Sequence, residues 1–151
     1  MDGLPGEVII KFNYSLNCSN KIESKLLTTK DHKLLAVIEG RLEILIDNKC
    51  FFLEDSVLLM ELAVQLYKWS ILKRKDIIND FEYLSMSHTA EPLLKIYKGF
   101  SNMWFMDSPW KEFNNEKGFF LNDIILAIDL FLKSISSTLK RIYNIDIYDF
   151  C

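Results

Sequence analysis

Seven apolar residues near the C-terminus, Leu121, Ile125, Ile128, Leu132, Ile135, Leu139 and Ile142, recur at alternating steps of four and three. Only a helix places residues at that spacing on one face. Leu130 and Phe131 widen the stripe, while Asp129, Lys133, Ser136, Ser137, Lys140 and Arg141 fall off it. A stripe this wide demands a broad apolar surface to lie on, and a sheet supplies one. Asn122 or Asp123 stands where a helix cap is expected, since either side chain can accept a free backbone N–H.

The rest of the chain supplies that sheet. Val8, Ile10, Phe12, Tyr14 and Leu16 share one parity and Lys11, Asn13 and Ser15 the other, the period of a half-buried strand. Residues 17–33 are polar and read as a loop, with one helical turn near Ile22–Leu27. Residues 34–46 read as a long strand in which Gly40 marks a bulge or turn. Asp47-Asn48-Lys49 turns the chain into Cys50–Leu53. From Asp55 or Ser56 the period changes. Leu58, Leu62, Leu66, Trp69 and Leu72 form a helical face, and Met60, Val64 and Tyr67 make other sides apolar too, which predicts deep burial. Phe81–Met86, Leu93–Tyr97 and Asn102–Met106 read as short strands, Phe113–Phe120 as a further broken one, and the tail from Tyr143 as an edge strand.

The predicted order is β-β-β-α-β-β-β-α. It specifies an α+β fold: a mostly antiparallel sheet of about six strands with two long helices packed on one face. A parallel doubly wound fold would need regular β-α alternation. With 151 residues, 50% of them hydrophobic, and no Gly/Pro/Ser-rich linker, residues 1–151 read as one domain. The 20 aromatic side chains (3 Trp, 6 Tyr, 11 Phe) suffice for a full core without metal or disulfide staples.

Catalytic signatures are missing from the sequence. It contains no P-loop, GxGxxG, HExxH or GxSxG pattern. His88 follows Ser87, but neighbours on an extended chain point opposite ways, so they make a poor dyad. His32 lies in a polar loop, and two histidines are too few for a zinc site. Glu39 with Glu43, and Asp80 with Glu82, share strand faces as solvated acids do. Cys18, Cys50 and Cys151 form no CxxC, so neither a redox pair nor a zinc knuckle is indicated. No catalytic residue, metal or cofactor is therefore predicted. The net charge of −3 and pI of 5.4 disfavour nucleic acid. The basic cluster Lys68, Lys73, Arg74 and Lys75 reads as a helix terminus complementing its own dipole. The longest apolar runs are about five residues, so no membrane span is predicted. An odd cysteine count and an N-terminus unlike a signal peptide predict a cytoplasmic, reduced protein.

One stretch stands out, from Met103 to Phe113, where Trp104, Phe105 and Trp110 lie beside Asp107 and Glu112. Rigid aromatics beside carboxylates compose protein-binding hot spots. Trp104, Asp107, Trp110 and Glu112 are the predicted partner-binding residues, with Asp107 to Glu112 as the exposed part.

Ile38-Glu39-Gly40, Leu42, Ile44, Ile46-Asp47-Asn48, Phe51-Phe52, the helix carrying Lys68-Trp69, and Trp110-x-x-Phe113 before the last helix resemble a family of small uncharacterised bacterial proteins. The size, acidic pI and α+β order also resemble immunity proteins of bacterial toxin systems. That resemblance implies a binder that blocks a toxin's active site, and it carries over no functional residue. The expected function is thus a non-enzymatic protein-binding module, with an immunity protein whose partner is a basic toxin domain as its finer form. The alternative is a small-molecule binder or enzyme with an aromatic pocket between sheet and helices. A homodimer joined along a sheet edge is a third possibility.

Overall fold

A computed structural model describes residues 8–17, 22–74, 79–85 and 91–151. The order is that of an α+β chain with antiparallel strands. β1 (Ile10–Leu16), β2 (Gly40–Ile46) and β3 (Lys49–Val57) form one sheet in that order. α2 (Leu59–Arg74) follows; α1 (Ser24–Thr29) precedes β2. β4 (Phe81–Tyr83), β5 (Leu94–Lys98) and β6 (Trp104–Asp107) form a second sheet, and α3 (Leu121–Tyr143) comes last. All strand pairs are antiparallel.

The six strands are thus divided between two sheets. The division has a local cause at the β3 edge. There the Glu112 N–H donates to the Phe51 carbonyl at 2.8 Å, and Trp110 stacks on Phe52. The loop after β6 occupies the place a fourth strand would take. One hydrophobic cluster nevertheless runs through both sheets and the helices, from Phe12 and Ile44 through Leu66 and Trp69 to Ile96 and Ile135.

α2 is apolar around most of its circumference because it lies between layers. Leu59, Met60, Leu62, Ala63 and Leu66 are inaccessible to solvent. Two of its three buried polar side chains, Glu61 and Lys73, are held by the residues around them. The Tyr83 hydroxyl donates to Glu61 Oε1 at 2.8 Å. Lys73, only 6% exposed, sets its ammonium over the rings of Trp69 and Trp104, at 5.4 and 4.9 Å. α3 lies along β1, where the Tyr14 hydroxyl meets Ser134 Oγ and Thr138 Oγ1, each at 2.9 Å.

Several local expectations are corrected. Residues His32–Ala36 form a 3-10 turn, and the strand begins at Gly40. Leu34 and Ile38 are apolar because that turn packs into the core. β3 continues through Asp55 and Ser56, so α2 begins later than their capping chemistry suggests, at Leu59. The tail forms a 3-10 turn at Ile147–Phe150, because Ile147 and Phe150 drop into the core. The 113–120 segment contributes one bridge, Phe119 to Trp104. No helix among the described residues is long and apolar enough to cross a membrane.

Candidate functional site

The β5–β6 hairpin decides the fate of the Trp-rich stretch. Its cross-strand partners are Lys95 with Asp107, Ile96 with Met106, Tyr97 with Phe105, and Lys98 with Trp104. Alternation sends Ile96, Trp104 and Met106 inward. Trp104 is 3% exposed, edge-on to Trp69 at 5.9 Å and beneath the Lys73 ammonium. It therefore cannot touch a partner on the folded surface, which corrects its place among the predicted partner-binding residues.

The opposite parity builds a surface. Tyr97 and Phe105 stack across the strands, with ring centroids 5.8 Å apart and planes 25° apart. Phe100 leans on the same Phe105 ring at 5.2 Å. Phe105 is buried yet stands outside the main hydrophobic cluster, because these two rings cover it. Phe100 itself is 72% exposed. The tight turn that presents it contains Ser101 and Asn102, both at positive φ (56° and 58°), closed by the Gly99 N–H donating to the Met103 carbonyl at 2.8 Å.

Two glycines let the Phe105 ring lie flat. A Cβ on Gly99 would stand 2.6 Å from Phe105 Cδ1. One on Gly118 would stand 3.0 Å from Phe105 Cζ, and Gly118 has φ +74°. An open groove of about 430 Å³ flanks the rings, lined by Tyr97, Phe100, Phe105, Asp107, Asn115 and Glu116.

The remaining predicted residues lie beside this surface. Asp107 is half-buried and bound to Lys111 Nζ at 2.9 Å, so its charge is already matched within the chain. Trp110 is half-buried against Phe52, and its N–H donates to Ser108 Oγ at 3.1 Å. Glu112 has an exposed side chain, although its backbone closes the β3 edge. Of the loop from Asp107 to Glu112, only Pro109 and Glu112 are exposed, and Ser108 is buried. Tyr97 and Phe100 were not predicted. The signal in the sequence was the pair of glycines, Gly99 and Gly118, bracketing an aromatic stretch.

Other candidates take quieter places. Burial of Lys73 lowers its pKa, with desolvation the leading cause, so it is not part of a basic surface. The Cys50 thiol is pushed up, first by burial, and it donates weakly to the Phe52 carbonyl at 3.7 Å. His32 is exposed and rests edge-on against Phe150. Asp80 accepts the Lys98 N–H at 3.2 Å and so ties the start of β4 to the end of β5. His88, Ser87, Cys18, Lys75 and the Arg74 side chain lie outside the described residues. Among the described residues, no group of three His, Cys, Asp or Glu is placed to hold a metal ion.

A family model described as a domain of unknown function (DUF7878) matches residues 12–141. No curated protein and no solved structure matches the chain.

Proposed function

The chain belongs to the DUF7878 family, a domain of unknown function, and from its surface we propose that it is a non-enzymatic protein-binding module anchored by Phe100. The observation that carries this reading is a phenyl ring 72% exposed on a stacked three-ring cluster outside the main core. Holding such a ring in water forgoes roughly 1.5–3 kcal/mol of burial free energy. A partner cleft that takes the ring recovers that free energy. Tyr97 and Phe105 fix the ring's base, so little conformational freedom is lost on binding.

The finer reading is an immunity protein whose cognate toxin receives Phe100 in or beside its active site. The acidic net charge of −3 favours a basic toxin domain, with Glu116 as the exposed acid in the groove lining and Glu112 exposed in the preceding loop. Asp107, matched by Lys111, contributes less to that choice than its position in the sequence suggests.

The test is co-expression with a polypeptide toxin encoded beside this chain, read by growth and by gel filtration of the mixed proteins. The expected result is protection together with a stoichiometric complex, both lost in Phe100→Asp while the variant remains folded. Absence of both complex and protection overturns the immunity reading. A complex that survives Phe100→Asp unchanged overturns the assignment of the surface.

A further inference from the structure

The four sheet edges are not equivalent. β3 is closed by the backbone of Glu112, β6 by Phe119 and by the Asn115 side chain on the Met106 N–H, and β4 is only three residues long. β1 is seven residues long and, among the described residues, pairs with β2 alone. The Asp47 N–H donates to the Ile9 carbonyl at 2.8 Å and the Asn17 N–H to the Glu39 carbonyl at 2.9 Å. Odd-numbered residues therefore turn their backbone groups toward β2. By the alternation of an antiparallel ladder, Ile10, Phe12, Tyr14 and Leu16 turn theirs to the open edge. Such a row is a template for a further strand.

α3 runs beside this edge in the same direction. Ala127, Leu130 and Phe131 face Ile10–Asn13 across one groove, and Ser134, Thr138 and Ile142 face Phe12–Leu16 across the next. Leu126 and Leu130, 61% and 60% exposed, form an apolar rim one helical turn apart.

We propose that this edge pairs with the same edge of a second copy of the chain, β1 against β1, antiparallel about a two-fold axis. Full overlap of Ile10–Leu16 with its mate centres the axis on Asn13. Phe12 and Tyr14 of each copy then exchange backbone hydrogen bonds, and on the outer face Lys11 lies opposite Ser15, so no like charges meet. The grooves place the middle of α3 level with Asn13. The same axis therefore sets the two α3 helices antiparallel, first turn beside last turn. The first turn carries Asp123 and the last carries Lys140 and Arg141. Residues 123 and 141 are eighteen apart, five whole turns, and so lie on one helix face. That charge asymmetry complements itself under the two-fold, which is why a second copy is the occupant rather than an unrelated peptide. The assembly would carry two Phe100 surfaces, and it does not depend on the protein-binding reading.

Sedimentation velocity on the full chain across a dilution series tests the pairing. A dimer of twice 17.8 kDa is expected. Leu130→Lys and Arg141→Glu, both at exposed positions, should each weaken it at least tenfold with an unchanged circular dichroism spectrum. In hydrogen exchange, the Phe12 and Tyr14 amides should be protected in the dimer and exchange faster on dilution. A monomer at every concentration overturns the proposal. So does a dimer indifferent to Leu130→Lys, or one in which those amides stay unprotected. A dimer that resists only Arg141→Glu overturns the axis at Asn13. Protection of the two amides only when a different protein is added overturns self-pairing.

Discussion

Gly118→Ala tests whether the aromatic surface rests on backbone geometry. Gly118 has φ +74°, a left-handed conformation that costs an L-residue about 1 kcal/mol or more. The new methyl would also stand 3.0 Å from Phe105 Cζ and 3.1 Å from Met103 Cβ, tighter than ordinary contact. Phe105 cannot retreat easily, because Tyr97 and Phe100 cover its outer side. Crowding of this kind costs about 1–3 kcal/mol. A loss of about 2–3 kcal/mol is expected, and for a chain of 151 residues a fall in melting temperature of roughly 5–10 °C. Gly118→Asn carries the same Cβ but tolerates positive φ better, so it should recover about 1 kcal/mol of the loss. Urea unfolding, followed through the core residues Trp69 and Trp104, reads both numbers. An alanine variant within about 0.5 kcal/mol of the parent would refute the reasoning. An asparagine variant no better than alanine would refute the conformational part alone.

Trp104→Ala and Phe100→Ala should separate core from surface: the first should cost about 3–5 kcal/mol in chemical denaturation and the second within about 0.5 kcal/mol. Tyr83→Phe removes the hydrogen bond to the buried Glu61 carboxylate and should cost about 1.5–3 kcal/mol by the same measurement. Burial, first of all, raises the Tyr83 pKa far above its ordinary 10. The parent should accordingly lose stability as pH rises beyond 10, where the unfolded tyrosine ionises and the folded one does not, and Tyr83→Phe should lose less over that window. Lys73 has the opposite sign. Its folded pKa is lowered from 10.5, so the unfolded chain binds the proton more tightly and the burden on folding is present at neutral pH. The parent should therefore gain stability relative to Lys73→Met as pH rises toward 10.5, and melting curves across that window read the change.

The sequence by itself determined the order of the main strands and helices and the period of each. The four-and-three stripe from Leu121 is α3, the alternation around Phe12 is β1, and the all-round apolarity of residues 58–72 is a helix between layers. These features are local, since period and parity depend on backbone geometry alone. It also placed the distinctive aromatics in the right hairpin. Tertiary structure decided which of them meet water. Parity says that Trp104 and Phe105 lie on opposite faces, but not which face the core will claim; Trp69 and Lys73, on α2, claim Trp104. Likewise Asp107 lost its free charge to Lys111, and the expected single sheet became two because Glu112 and Trp110 fold back onto β3. Phe100 was hidden in the sequence for the same reason. An aromatic in a turn is core or surface according to what packs above it, and here only Tyr97 and Phe105 lie below.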